Sequence, residues 1–243
     1  MFFILPIYSI LVIYILAAIL PAFFLMRYVY LQDHIEKESP ILLMQLILCG
    51  VAAAIISALL EYVGEIILNT ATYGKISSDS PTYTILLAFL VVAAVEEGTK
   101  LLFLYLRSWN AIDFNYRFDG IVYAVFTSLG FAAFENIKYV MGYGLTVAVP
   151  RALLAIPGHM SFAVFMGIFY GRARLAADLG CTGRKKFDIS IGYLIAVVLH
   201  GIYDSCAMIG TPFATVIFIV FVAVLYFTVF RLIKMESRND RPV

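Results

Sequence analysis

Ile217-Phe-Ile-Val-Phe-Val-Ala-Val-Leu225 is an unbroken apolar run inside a longer one, residues 212–232, and its reading decides the fold class. Strands of a membrane barrel alternate apolar with polar residues, whereas this stretch is apolar at every position. In hydrocarbon the backbone must satisfy its own polar groups, so a run of this kind and length reads as a spanning helix. Working outward, comparable runs occupy 2–26, 41–60, 84–106, 120–139, 152–170 and 189–208. The expected architecture is all-α: a polytopic membrane bundle of about seven transmembrane helices, forming a single integral membrane domain over 1–243. No convincing internal repeat and no low-complexity tract interrupts it.

Composition agrees. Of 243 residues, 63% are apolar, against ~45–50% in soluble domains, and only 14% are charged. Seventeen Lys and Arg nearly cancel sixteen Asp and Glu, leaving +1, so no electrostatic grip on nucleic acid is expected. Cys49, Cys181 and Cys206 match neither a disulfide framework nor a thiolate metal site and read as packing residues. The first span has no preceding basic residue and no clear cleavage site, and it is too long for a signal-peptide core, so it reads as retained. Basic residues are dense in alternate loops, most of all from Arg172 to Lys186. By the positive-inside rule the N-terminus faces outward and the C-terminus lies in the cytoplasm.

Several polar residues sit where hydrocarbon makes them costly, at ~2.5–3.5 kcal/mol each near the bilayer centre. Glu96, Glu97 and Lys100 interrupt the third span. Glu96 and Lys100, four apart, can pair, while Glu97 points about 100° away and stays free for other partners. In the fourth span Glu135 and Tyr139 lie one turn apart, so the phenol can orient or protonate what the carboxylate holds. Asn136 beside them is ambiguous, and Lys138 reads as snorkelling to the interface. Pro157-Gly158 loosens the fifth span next to His159. His200 and Asp204 share a face of the sixth, where the carboxylate can fix the imidazole tautomer or both can hold a metal or water. Glu61 and Glu65 read as interfacial, with substrate entry or support as the other role. His34 reads as solvated surface in a charged loop with Asp33, Glu36 and Glu38.

At ~1.5 Å per residue, Asp204 and Glu135 lie under ~10 Å from the outer surface, His159 and His200 ~12–14 Å down, and Glu96 and Glu97 ~20 Å down. One cavity opening outward, built by spans three to six, would hold all six, with the other spans as scaffold or gate.

These residues resemble the PrsW-type intramembrane proteases, whose pattern is Glu-Glu-x-x-Lys, Phe-Glu-x-x-x-Tyr, a lone His and His-x-x-x-Asp on successive spans. Here it is Glu96-Glu97 to Lys100, Phe134-Glu135 to Tyr139, His159, and His200 to Asp204. The resemblance places a catalytic core in about 84–209, with 1–69 and 212–232 peripheral. A wider similarity links the chain to the CAAX prenyl endopeptidase and bacteriocin self-immunity superfamily. It departs from that pattern at Leu101, where arginine is wanted, at Glu135, where histidine is, and at Asp204, where asparagine is. The resemblance implies an intramembrane endopeptidase of the bacterial cell membrane. Its substrate would be a single-span membrane protein, typically an anti-sigma factor, cut extracytoplasmically to start regulated intramembrane proteolysis.

Hydrolysis there needs a held water, a base, an oxyanion stabiliser and an acid for the leaving amine. Glu96 or Glu97, the latter preferred, would activate the water with His159 or His200. His200, oriented by Asp204, would hold water or stabilise the oxyanion, and Glu135 with Tyr139 would position substrate or shuttle a proton. Lys100 and Asn136 are supporting residues. Without an HExxH motif a metal-free scheme is favoured. The alternative is a zinc-activated water, with His159, His200, Asp204, Glu97 and Glu135 as candidate ligands. Two other classes compete: a proton-coupled transporter or channel, and a non-catalytic scaffold or immunity protein.

Overall fold

The computed structural model describes residues 7–243, so the start of the first expected span, at residues 2–6, lies outside the described residues. Those described form helices α1 (Ile7–Gln32), α2 (Pro40–Thr72), α3 (81–108), α4 (Asp119–Tyr143), α5 (Leu145–Asp178), α6 (Thr182–Ile209) and α7 (Pro212–Arg238). No strand occurs among them, only an isolated bridge between Tyr116 and Pro242. Six of the helices are long and apolar enough to cross a membrane. The exception is α3, which carries Glu96, Glu97 and Lys100.

Local sequence sets the ends. Ser80 and Thr211 each precede a proline at the first helical position, and each side-chain oxygen accepts a backbone N–H, from Tyr83 at 3.2 Å and from Ala214 at 3.3 Å. Gly210 ends α6 at φ 64°, a left-handed conformation that glycine takes without strain. The helices run longer than the apolar runs alone indicated, because polar ends such as 61–72 and 171–178 continue the hydrogen-bonded ladder beyond the hydrocarbon-like stretch.

Helix α4 is the axis of the bundle. Residues 118–132 are buried without a break, and α1, α2, α3 and α5 pack around it. Glycines allow the closest approaches. A Cβ on Gly50 of α2 would stand 2.0 Å from the Thr127 carbonyl oxygen, and one on Gly120 of α4 would stand 2.6 Å from the Gly171 backbone nitrogen of α5. All seven helices contribute to the main apolar cluster, from Leu46, Leu104 and Leu129 to Met160, Ala196 and Val229, with α1 joining through Val29. Outward faces keep large apolar side chains exposed, among them Leu48, Leu90, Leu194 and Phe227, as a lipid-facing surface requires.

Two π-helical stretches interrupt the ladder, Leu87–Ala93 in α3 and Arg151–Ala155 in α5. Each lies just before a segment bearing polar residues, Glu96 and Glu97 in one and His159 in the other. The second also precedes Pro157, whose ring cannot accept a regular α-turn before it. The Pro157 carbonyl accepts from Ser161 Oγ at 2.7 Å.

His34 is exposed, as expected, whereas Asp33 and Glu38 in the same loop are buried, at 2% and 3% exposure. The loop between α1 and α2 folds back against the start of α4 and draws these carboxylates inward.

Candidate active site

The polar residues of α3 to α6 converge. Lys100 Nζ donates to Glu96 Oε2 at 3.0 Å and to Glu97 Oε1 at 2.8 Å, lies 3.2 Å from His159 Nδ1, and sits 4.0 Å above the Phe131 ring. Glu97 Oε1 is also 2.9 Å from His200 Nδ1, and His200 Nε2 is 3.2 Å from Asp204 Oδ2. His159 Nε2 is 3.1 Å from Glu135 Oε2. Each imidazole therefore has a carboxylate at one ring nitrogen and the Glu97–Lys100 pair at the other, with ring centres 5.4 Å apart. Phe162 stacks on His200 at 4.8 Å and fixes that ring's plane.

A cavity of about 300 Å³ opens onto this network, lined by Glu96, Glu135, His159, His200 and Asp204 together with Glu61, Tyr139, Arg151, Phe162 and Tyr203. Glu97 lies behind it, fully buried, and its Oε2 has no hydrogen-bond partner. It is not free of Lys100 as its 100° offset suggested, because neighbours three apart on a helix also meet.

Tyr139 makes no hydrogen bond to Glu135. The Arg151 guanidinium intervenes, 3.8 Å over the Tyr139 ring, with Nη2 donating to Glu135 Oε2 at 2.8 Å. Arg151 Nε donates to Asn136 Oδ1 at 2.9 Å, and Asn136 Nδ2 donates to the Ala18 carbonyl at 2.9 Å. Asn136 thus ties α4 to α1 and to Arg151 without lining the cavity. In the sequence Arg151 is one more basic residue between two apolar runs. Its position just before an apolar run looks interfacial, but it opens the π-helical stretch with its guanidinium on Glu135. Glu61 reaches the cavity wall, whereas Glu65 and Lys138 are exposed.

Position along the helices agrees for Asp204, Glu135 and His200, whereas His159 stands deeper than expected, 14 residues from Leu145. Asp204 and Glu135 lie five and eight residues from the ends of their helices, and His200 nine, so at ~1.5 Å per residue they stand ~8–14 Å in. Glu96 lies near the middle of α3.

The donor set suits a metal. Glu96, Glu97, His159 and His200 each offer a ligand atom, all four within 4.8 Å of one another. Two imidazoles with carboxylates form a catalytic zinc donor set, and the orphaned Glu97 Oε2 is an anionic donor without a partner. The Asp204 and Glu135 contacts to the ring nitrogens are those that orient ligand histidines. Lys100 already places one positive charge among three of these four groups.

Residues 38–231 match the family described as PrsW family intramembrane metalloprotease. Proteins named Protease PrsW are similar over most of the chain. That of Geobacillus kaustophilus is 32% identical over 188 residues, 77% of this chain and 76% of the relative. That of Halalkalibacterium halodurans is 29% identical over 225 residues, 93% and 97%, and that of Bacillus subtilis 31% over 188, 77% and 79%. No solved structure matches.

Proposed function

The chain belongs to the PrsW family of intramembrane metalloproteases, and on that premise we propose that it cuts a single-span membrane protein of the anti-sigma factor type near its extracytoplasmic surface. It is a peptidase and a multi-pass protein of the bacterial cell membrane. Family membership favours the peptidase over the transporter and scaffold readings. The orientation with the N-terminus outside and the C-terminus inside, α3 crossing as a seventh span, is supported by the basic loops. They cluster at the end of the bundle away from Asp204 and Glu135. The catalytic core is 84–209, with α1, α2 and α7 around it.

The observation that carries the reading is the single cavity onto which Glu96, Glu135, His159 and His200 all face. Glu96 rather than Glu97 is the better placed base, since Glu97 is sealed behind Lys100 and His200. In hydrolysis a water oxygen bonds to the scissile carbonyl carbon as Glu96 takes its proton. The C–N bond then breaks, and a proton passes to the leaving amine. Asp204 holds the His200 ring beside the reacting carbonyl, Glu135 holds His159, and Arg151 with Tyr139 walls the region where an extended peptide would lie.

A metal fits this donor set in the place that the Lys100 ammonium takes among Glu96, Glu97 and His159, so binding one requires that ammonium to move aside. His159, His200 and a carboxylate of Glu96 or Glu97 would hold it, and when bound it supplies Lewis-acid activation of water and carbonyl. The family description and the compact donor set support this reading over metal-free water.

The test is cleavage of single-span substrates, anti-sigma factors included, by the full chain in proteoliposomes. Wild type is expected to release defined fragments and Glu96→Gln to do so at least ~10²-fold more slowly. Bound zinc should fall together with cleavage after chelation. Cleavage by Glu96→Gln at the wild-type rate would remove the proposed base.

A further inference from the structure

At the end of the bundle away from the cavity, ~24 Å along α4 from Glu135 at helical rise, three carboxylates meet inside the protein. Asp33 and Glu38 come from the loop between α1 and α2, and Asp119 opens α4. One oxygen of each lies within 4.8 Å of the others, and their exposures are 2%, 3% and 1%.

Two of the three are held from the protein side. Asp119 Oδ2 accepts the backbone N–H groups of Asn115 at 3.0 Å and Tyr116 at 2.7 Å, and Glu38 Oε2 accepts the Tyr123 hydroxyl. Asp33 is not. Among the described residues its carboxylate accepts no hydrogen bond and meets no cation, and its Oδ2 is sealed from solvent. Lys37, its nearest basic neighbour, gives its ammonium to the backbone carbonyls of Tyr30 and Asp33 instead. Asp240 adds a further acid alongside, accepting the Phe118 N–H at 2.8 Å.

Carboxylates this close and this dry cannot all be ionised without a compensating positive charge. Glu38 and Asp119 share a side-chain hydrogen bond, so one proton serves that pair, but Asp33 bonds to neither and is left without a partner.

We infer that Asp33, Glu38 and Asp119 bind a hard divalent cation, Mg²⁺ or Ca²⁺, that fastens the loop between α1 and α2 to the start of α4. The donors are all oxygens, which selects these ions over zinc and separates this site chemically from the imidazole-bearing cavity. The cation would also stiffen the segment on which the chain's last residues dock. There Arg117 N–H donates to the Arg241 carbonyl at 3.0 Å and Val243 N–H to the Asn115 carbonyl at 2.9 Å. The inference stands independently of the proteolytic reading.

The experiment uses the full chain in nanodiscs, stripped with EDTA and dialysed against Mg²⁺ or Ca²⁺ separately, with bound ion and melting temperature measured. Wild type is expected to bind one more equivalent than Asp33→Asn, and its melting temperature should rise by several degrees, a rise absent from Asp33→Asn. The rise should persist in Glu96→Gln, which assigns it away from the cavity. If Asp33→Asn does not fold, Glu38→Gln replaces it, because the amide oxygen still accepts from Tyr123. The inference is overturned if neither cation raises the melting temperature, or if the variant binds as much as wild type. It is equally overturned if Asp33→Asn is more stable than wild type and indifferent to both ions, since protons then balance the cluster.

Discussion

Replacing Lys100 with Met removes the cation that holds two buried carboxylates while leaving the aliphatic volume nearly intact. In the structure its ammonium lies 3.0 Å from Glu96 and 2.8 Å from Glu97, and it is 2% exposed. Leaving a buried charge uncompensated costs about 3–5 kcal/mol. For a chain of this length each kcal/mol moves the melting temperature by about 2–4 °C, so Lys100→Met is expected to melt about 6–20 °C below wild type. Because the loss comes from unbalanced charge rather than missing volume, neutralising a partner should restore part of it. Lys100→Met with Glu96→Gln is expected to recover at least ~1 kcal/mol relative to additivity, without regaining cleavage. The measurement is thermal unfolding of the purified chain in one detergent, with both single variants and the double completing the cycle. Melting of Lys100→Met within about 2 °C of wild type would show that this ammonium does not balance Glu96 and Glu97. Strict additivity of the double variant would refute the pairing even if the single variant were destabilised.

Three further outcomes follow from packing and charge. Gly50→Ala forces a Cβ to within 2.0 Å of one backbone oxygen and 2.7 Å of the Phe131 nitrogen, and should cost about 1–3 kcal/mol. Gly142→Ala, whose Cβ meets nothing within 4 Å, should leave the melting temperature unchanged or slightly higher. With no cation bound, burial and then the neighbouring Asp119 push the Glu38 carboxyl up to about 9, well above its ordinary value. In chelator, its contribution is therefore fully present below the ordinary glutamate range and is lost as pH rises toward 9. Melting curves from pH 5 to 10 should show this decline in wild type and a flatter profile in Glu38→Gln.

The spans were legible because lipid imposes one rule on every residue of a run, so Ile217 to Leu225 could be read without knowing its neighbours. The meeting of Glu96, Glu135, His159 and His200 was legible for a related reason: ionisable groups in hydrocarbon need partners, and few are available. Pairings within the set were less so. That Glu135 would bond His159, and that Arg151 would come between Glu135 and Tyr139, is announced by no apolar periodicity. The burial of Asp33 and Glu38 was hidden too, because a loop with four charged residues and a histidine looks solvated until its fold against α4 is known.

The central position of α4 bears on how the protein is made. Among the six strongly apolar helices it has the lowest mean hydropathy, and α3 falls short of that class altogether, while α1, α2 and α7 are the most apolar. Less apolar segments gain less from the bilayer by themselves. Insertion into the membrane must then be completed by assembly, the greasy outer helices arriving as a cradle in which the chemically active ones become tenable. A lesion at the α2–α4 or α4–α5 seam would surface first as a defect of biogenesis, with α4 slipping out to be degraded, before any measurement of turnover could register it.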